Sequence, residues 1–327
     1  MGYFDGEGED HGSEEPVDSG ERIHAGGIPA DAERRLKSLA GEHGLFTSTL
    51  GVSEFALLSK LGPRPLAQVL GASVHQVGWQ YLPVSARLGG RQVYCELDQV
   101  TSAWDRARTR AFDRLSEQAS VVGADAVVGV RLRRGEHDWA RGSVDYVVSG
   151  TAIRSGATGR RERPVLSDLS VQEYWKLVRA GWGPAALVAT TSVYFVSMST
   201  GGQFRRRMTV ARNQELSEFT RGFTLAQETA VGHLRRQARA AHADGIVGVQ
   251  LQHRVKRERV KTAGANVPVI PGVSPDTIAI GGSQMSAGRD ERSGLAITIH
   301  AVGTAIRRQP GPAGPRPETL TTVGAQA

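Results

Sequence analysis

The segment Ala124-Asp125-Ala126-Val127-Val128-Gly129-Val130 decides the architecture of this chain, because a closely similar segment follows 119 residues later. The second segment is Ala243-Asp244-Gly245-Ile246-Val247-Gly248-Val249, and both are rich in the β-branched residues that favour a strand. The same offset relates Val52-Ser53-Glu54-Phe55 to Val171-Gln172-Glu173-Tyr174. A constant offset across separate segments indicates an internal repeat. We therefore predict two copies of one unit within the 327 residues.

A long amphipathic helix is predicted directly before each of these strands. Apolar residues recur at steps of three and four along 97–122 in the first copy and along 216–241 in the second. That spacing is the period of one helix face. Both stripes begin with large side chains and continue with alanines, and small side chains allow a helix to lie close to a sheet. The sequence therefore predicts one helix packed across a sheet in each copy.

The other elements of each unit follow from capping signals and β-branched runs. A short leading helix is expected after Gly51 and after Ser170, each with a glutamate three residues later. Strands are expected at 69–79, 126–132 and 144–154 in the first copy and at 188–198, 246–255 and 295–307 in the second. The fold class is therefore α+β, with two tandem β-α-β-β units that each follow a short helix.

The last strands of the two copies correspond at a larger offset, 153 residues instead of 119. The second copy therefore holds about 34 extra residues before its last strand, from about 257 to 292. We expect this insertion to be a flexible loop or a docking segment. The positions that recur most clearly form a repeat signature: Asp125, Gly129 and Gly150 in the first copy, and Asp244, Gly248 and Gly303 in the second.

Composition predicts where the units begin and end. The acidic start and the proline-rich end of the chain favour disorder, and a Gly/Arg-rich stretch favours a linker. A short helix is expected at 29–40. The predicted divisions are, in chain order, a disordered N-terminus 1–28, a first unit 29–154, a linker 155–164, a second unit 165–307 and a disordered tail 308–327.

The cellular location is predicted from what the sequence lacks. Cys95 is the lone cysteine, which excludes an intrachain disulfide and favours a reducing compartment. The first residues contain no apolar stretch of the kind that a secretory signal requires. No run approaches the roughly 18 apolar residues of a membrane helix. We therefore expect a cytoplasmic protein without membrane insertion.

Three further motifs of the first copy point to a known family. They are Gly89-Gly90-Arg91 in the loop after the first strand, the string 123–130, and Val148-Ser149-Gly150-Thr151-Ala152 in the last strand. Together they resemble the YbjQ-like family of small bacterial domains, which is labelled as heavy-metal-binding. The resemblance covers about 66–154, and more weakly 185–307.

This resemblance implies a β-α-β-β unit, like a dodecin subunit, that assembles into rings. It therefore implies a homo-oligomer, or pairing of the two repeats within the chain. The second copy departs from the family pattern, since Met208-Thr209-Val210 stands where the first has Gly-Gly-Arg. If that loop serves a site or a ring contact, the second copy does not supply it.

A divalent metal is the cofactor that the family label implies, yet the chain offers few ligands. Zinc sites need clustered cysteine, histidine and carboxylate side chains. The densest cluster is Glu136, His137 and Asp138, which falls in the predicted hairpin loop of the first copy. A hydrated turn explains the same three residues, and a site between subunits would leave no trace in the spacing.

Catalysis is not expected. The sequence contains no phosphate-binding loop, nucleophile elbow or dinucleotide fingerprint. Asp125 and Asp244 recur and could act as general bases. Each, however, follows a helix end and opens a strand, where aspartate commonly bonds the backbone of a turn.

The basic residues allow an alternative function. The chain has a net charge of +7 although residues 1–21 contain eight acidic and no basic residues, so the rest is strongly basic. Residues that could neutralise phosphates are Arg91, Arg205, Arg206, Arg207, Arg254 and Lys256. Aromatic stacking residues are missing from these runs. We expect an oligomeric binding or scaffold protein with an unidentified ligand, with an anion- or nucleic-acid-binding protein as the alternative.

Overall fold

The computed structural model describes residues 16–39, 47–83, 93–136, 142–155, 163–197, 215–262 and 291–309. The helices are α1 Pro16–Ala25, α2 Ala30–Leu39, α3 Val52–Leu61, α4 Asp98–Val121, α5 Val171–Arg179 and α6 Ser217–Ala240. The strands are β1 Arg64–Gln76, β2 Tyr81–Leu82, β3 Tyr94–Glu96, β4 Ala126–Glu136, β5 Ser143–Arg154, β6 Val165–Leu166, β7 Trp182–Ser197, β8 Gly245–Thr262 and β9 Glu291–Arg308. Within these segments, no helix combines the length and apolarity that crossing a bilayer requires.

The described residues form two sheets, each with a long helix against one face. The first sheet has the order β1-β5-β4-β6 and the second the order β2-β8-β9-β7-β3. The three long strands of each sheet are antiparallel. Helix α4 packs on β1 and β5, and helix α6 packs on β7 and β9. The predicted α+β class and the two predicted long helices are therefore confirmed. We call residues 16–155 the first half and residues 163–309 the second half.

The leading helices begin as their sequences predict. The Gly51 backbone N–H donates to Glu54 Oε2 at 3.0 Å, and the Ser170 backbone N–H donates to Glu173 Oε2 at 2.9 Å. The Glu173 N–H donates in return to Ser170 Oγ at 3.3 Å. These bonds satisfy backbone donors that the first turn of a helix leaves without a partner.

The alanine stripe lets α4 lie very close to its sheet. Ala107, Ala111 and Ala119 are fully buried. Gly71 in β1 faces the helix, and a Cβ added there would lie 1.9 Å from the Ala111 carbonyl oxygen. A helix can approach a strand this closely only where both contribute small residues.

The four recurrent glycines have a structural explanation. Gly129 and Gly248 have φ angles of +60° and +65°, which glycine adopts without strain, and the strand register shifts at both positions. Gly150 and Gly303 lie on the neighbouring strand. A Cβ added at Gly150 would lie 2.7 Å from a Val127 methyl group, and one added at Gly303 would lie close to Ile246. In each sheet, one glycine therefore forms a β-bulge, and the other lies on the adjacent strand where a side chain would crowd the bulged strand.

The disorder predicted for residues 1–28 is wrong for α1. Arg22 Nη1 donates to Glu33 Oε2 in α2 at 2.7 Å. Arg114 on α4 donates to the carbonyl oxygens of Ile23, at 3.0 Å, and Gly27, at 3.1 Å. These distant contacts, and not the local composition, hold the segment as a helix. The predicted short helix at 29–40 is confirmed as α2.

Part of the predicted insertion is strand. β8 continues to Thr262 and β9 begins at Glu291, so Arg257 and Arg259 pair with Leu295 and Ser293. Mutual backbone pairing extends the hairpin beyond the end of the β-branched run that marked it. The rest of the insertion, 263–290, lies outside the described residues, as do most of the predicted linker and nearly all of the predicted tail.

Short strands cross between the halves. β2 and β3 come from the first half but pair with β8 and β7 of the second sheet. β6 comes from the second half but pairs with β4 of the first sheet. One apolar core includes residues of α4 and of both sheets. The layers are therefore, in order, the first sheet, α4, the second sheet and α6.

Candidate assembly interface

The best-defined site among the described residues is the joint between the halves, where α4 is covered on two sides. Its first side packs on β1 and β5. Its second side meets the face of the second sheet that points away from α6. There the Leu97 N–H donates to the Val193 carbonyl oxygen at 2.7 Å, and the Val193 N–H donates to Thr101 Oγ1 at 3.2 Å. The Trp104 ring lies edge-on to His300, with 5.1 Å between ring centroids.

The segment that leads into α5 closes the edge of β4. The Ser167 N–H donates to the Val127 carbonyl oxygen at 2.9 Å, and the Ser167 carbonyl oxygen accepts from the Val130 N–H at 3.0 Å. The Gly129 N–H, freed by the bulge, donates to the Leu169 carbonyl oxygen at 3.0 Å. An edge strand that would otherwise expose its backbone is thereby paired.

Apolar packing supports this ladder. Val171, the first residue of α5, lies in one cluster with Ala126, Val128 and Ile153 of the first sheet and with Leu58 of α3. Burying a valine side chain of this kind contributes about 1.5–3 kcal/mol. The joint therefore combines backbone pairing with a small apolar core of its own.

The surroundings of His300 at the joint favour its neutral form. His300 Nδ1 lies 2.8 Å from Thr191 Oγ1. Burial, and after it the nearby positive charges of Arg134 and Arg254, together lower the pKa of His300 to about 3. Arg134 Nη2 donates to Gln252 Oε1 at 3.2 Å, which links the two sheets.

A cleft of about 560 Å³ opens along the joint. The first half contributes Trp79 and Gln80, and the second contributes Lys256, Glu258 and Lys261. The Lys261 ammonium lies 5.4 Å from the centre of the Trp79 ring. An aromatic surface beside lysine side chains suits a planar or anionic group.

Comparison with known proteins relates this architecture to two kinds of relative. A family model described as "Putative heavy-metal-binding" matches residues 88–155, which include α4, β4 and β5. The "Encapsulin nanocompartment protein Rv1762c" of Mycobacterium tuberculosis is 34% identical over 209 residues, which cover 62% of this chain and 76% of the relative. The chain belongs to the family of this mycobacterial protein.

A second relative aligns with a shorter part of the chain. The "UPF0145 protein" of Methanococcus vannielii is 36% identical over 58 residues, which cover 18% of the chain and 53% of that protein. No solved structure matches the chain.

The family description names a heavy metal, but the described residues contain no set of side chains that fits such a metal. No three histidine, cysteine or carboxylate side chains lie together in that part of the chain. Of the predicted cluster, Glu136 ends β4, while His137 and Asp138 lie outside the described residues. Cys95 is a poor ligand because burial, and then the Asp98 carboxylate, raise the pKa of its thiol to about 11. A metal ligand must be the thiolate.

The recurrent aspartates of this family member close helix–strand corners. The Asp125 carboxylate accepts from the Ser155 N–H at 2.8 Å and from the Ser155 hydroxyl at 2.9 Å. Asp244 Oδ2 accepts from the Arg308 N–H at 2.9 Å. Both carboxylates are thus held by the end of the last strand of their own half, and these bonds join residues distant in the chain instead of the backbone of the turn itself.

The predicted anion-binding residues are only partly described. Arg254 is exposed on β8, and Lys256, two residues along, lines the cleft. Both lie on the strand face opposite Leu251, as strand alternation predicts. Arg91 and Arg205, Arg206 and Arg207 lie outside the described residues. Sequence reasoning placed Lys261 in a basic run that could bind phosphates but did not find Trp79, because the approach of the two side chains depends on the crossing of β2 into the second sheet.

Proposed function

We propose that this protein is a non-catalytic assembly protein that associates with further copies of itself in the cytoplasm. Its relative in Mycobacterium tuberculosis is named for an encapsulin nanocompartment, and the present chain covers 76% of that relative. We further propose that the chain consists of two tandem β-α-β-β units, 29–154 and 165–307.

Local detail supports the tandem organisation. Helices α4 and α6 each contain 24 residues and begin 119 residues apart. Each leading helix starts with the same glutamate bond, and each sheet has a glycine bulge at the matching position. Equal elements with equal irregularities favour duplication of one unit.

The observation that carries the proposal is the open edge of β8, a strand that also exposes three apolar side chains. β9 pairs with one side of this strand, and on its other side the described residues contain only β2, at Lys261–Thr262. Val249, Leu251 and Val255 are exposed along it. A long strand with an open edge and exposed apolar side chains can pair with another chain. This edge is therefore suited to association.

Light scattering after size-exclusion chromatography tests the proposal. At micromolar concentration we expect a mass of two or more whole chains, each of 35.0 kDa. Because backbone pairing and burial of Val249, Leu251 and Val255 do not depend on ion pairs, raising the salt concentration should not dissociate the assembly. A single 35.0 kDa species at every concentration would contradict the proposal.

Anion binding in the cleft is a second candidate function. It is favoured by Lys256, Arg259 and Lys261, which line the cleft beside Trp79. Fluorescence anisotropy with labelled DNA and RNA at low and high salt tests it. Binding that weakens steeply with salt would support phosphate contacts. Unchanged anisotropy at low salt would remove the nucleic-acid alternative.

A further inference from the structure

The two sides of the joint between the halves differ. We call the side that adds its segment to the other half's sheet the donor side, and the side that receives this segment the acceptor side. The second half provides the donor side, which comprises the segment 166–169, Val171 and the face of β7 around Val193. The first half provides the acceptor side, which comprises the edge of β4 and the outer face of α4. Because the two sides differ, the joint is heterologous. The residues of these two sides have counterparts 119 positions away in the chain.

The first half carries the counterparts of the donor side and leaves them uncovered. Val171 is 1% exposed in the joint, whereas its counterpart Val52 is 88% exposed. Val193 is 3% exposed, whereas its counterpart Val74 is 56% exposed. Helices α1 and α2 do not cover this face, since Leu70 beside it is exposed as well. The first half thus presents a second donor surface.

The second half carries the counterparts of the acceptor side, and they are uncovered too. Leu97 is 3% exposed beneath the second sheet, whereas Leu216 at the start of α6 is 43% exposed. Val130, which pairs with the leading segment of the second half, is buried, whereas its counterpart Val249 is exposed. An exposed acceptor surface therefore lies at the opposite end of the layers from the donor surface.

The uncovered donor segment already has the conformation that docking needs. The Thr49 N–H donates to Thr151 Oγ1 at 3.0 Å, and the Asp168 N–H donates to Thr304 Oγ1 at 3.2 Å. These two bonds are counterparts, so each leading segment is held against its own sheet in the same way. A preorganised segment loses little conformational entropy when it pairs.

We infer that the end of one chain receives the start of another through a copy of the internal joint, a conclusion that rests on the proposed self-association. The segment 47–50 of the incoming chain pairs with the edge of β8 at Ile246–Val249. Its Val52 packs beside Val247, and its Val74 seats against Leu216 of α6. Each contact repeats one that the halves make within a chain.

The occupant of both surfaces is therefore a second copy of this chain. A joint of this heterologous kind uses one surface from each end, so each added chain exposes a fresh acceptor. Such assembly ends only when a ring closes, and otherwise grows as a filament. A two-fold dimer, in which like surfaces meet, does not bring 47–50 to Ile246.

Directed disulfide formation tests this joint. Within the chain Val127 pairs with Leu166 and both side chains lie in one apolar cluster. Their counterparts are Ile246 and Thr47. Two proteins are made in a Cys95→Ser background, one with Thr47→Cys and one with Ile246→Cys, and are mixed and oxidised. A mismatched partner carries Glu258→Cys, on the same edge but about 40 Å further along the strand.

We expect a covalent dimer from the Thr47→Cys and Ile246→Cys mixture, and none from the mismatched mixture or from either variant alone. Dimers of the Thr47→Cys protein alone would overturn the inference in favour of a two-fold contact. Absence of the mixed dimer while the unmodified chain remains oligomeric by light scattering overturns this joint and leaves self-association standing. A monomeric unmodified chain overturns both.

Discussion

Cys95 shows how strongly position controls the chemistry of one side chain. It lies in β3, a strand of the first half that pairs with β7 of the second, and it is half-buried. Burial and the Asp98 carboxylate raise the pKa of its thiol from 9.0 to about 11. The thiolate fraction near pH 8 is therefore about 100-fold lower than for an ordinary thiol.

We predict that Cys95 reacts slowly with iodoacetamide in the folded protein. Labelling at pH 8 is followed by mass spectrometry with and without denaturant. Labelling should be at least an order of magnitude faster in denaturant, because unfolding both exposes the thiol and restores its ordinary pKa. Equal rates in both conditions would show that β3 does not hold Cys95 in the joint.

His300 should make the fold sensitive to acid. Burial against Trp104, with Arg134 and Arg254 nearby, lowers its pKa from 6.5 to about 3. The unfolded chain therefore takes up this proton first. The contribution of His300 to stability is complete above about pH 6.5 and is lost as the pH falls toward 3, with a limiting slope of about 1.4 kcal/mol per pH unit.

A variant isolates this effect. His300→Gln should flatten the dependence of the free energy of unfolding on pH between 6.5 and 4, measured by denaturant titration. His253→Gln changes an exposed histidine of the neighbouring strand and serves as the control. An unchanged slope in the His300→Gln protein would argue against a neutral, buried histidine at the joint.

At the scale of elements, the contact between α4 and β1 depends on one missing side chain. A Cβ at residue 71 would lie 1.9 Å from the Ala111 carbonyl oxygen. Gly71→Ala should therefore push the helix from the sheet and lower the free energy of unfolding by about 1–3 kcal/mol.

Gly232→Ala is the matched control, because residue 232 lies in α6 with only the end of the Arg236 side chain near it. There the exchange should raise the free energy of unfolding by about 0.5–1 kcal/mol through helix propensity. Urea titration compares the two proteins. Equal effects would contradict the close packing of α4.

Elements whose evidence is local could be predicted from the sequence, whereas those set by distant contacts could not. The helices α4 and α6 could be predicted because one apolar stripe repeats along more than six turns of each helix. β2, β3 and β6 are two or three residues long and carry no periodicity. Helix α1 depends on Arg114, which lies some 90 positions away in the chain.

The candidate site was predictable only in outline. The exposed edge of β8 follows from the number of strands in each unit, so association through strand edges could be expected. The particular surfaces could not, because Val52 and Val171 are the same residue in the same local sequence and only tertiary packing makes one exposed and the other buried. Because the two copies have similar local sequences, the sequence does not indicate which of the two valines is buried.

At the scale of the whole molecule, the two halves form one joint and leave the two sides of a second uncovered. The layers end in a donor surface at the first sheet and an acceptor surface at α6 and β8. The exposed side chains Val52, Val74, Leu216 and Val249 mark these surfaces. Substituting them should leave the fold intact, because surface changes away from the core seldom alter stability by more than about 0.5 kcal/mol.

Native mass spectrometry of two complementary variants tests the head-to-tail account most directly. One variant carries Val52→Asp with Val74→Asp and so lacks a working donor surface, and the other carries Leu216→Asp with Val249→Asp and so lacks a working acceptor surface. Each alone should be a monomer of about 35.0 kDa, and a mixture should contain a dimer of one chain of each kind and nothing larger. Oligomers of either variant alone, or a mixture that stays monomeric while the unmodified chain assembles, would contradict it.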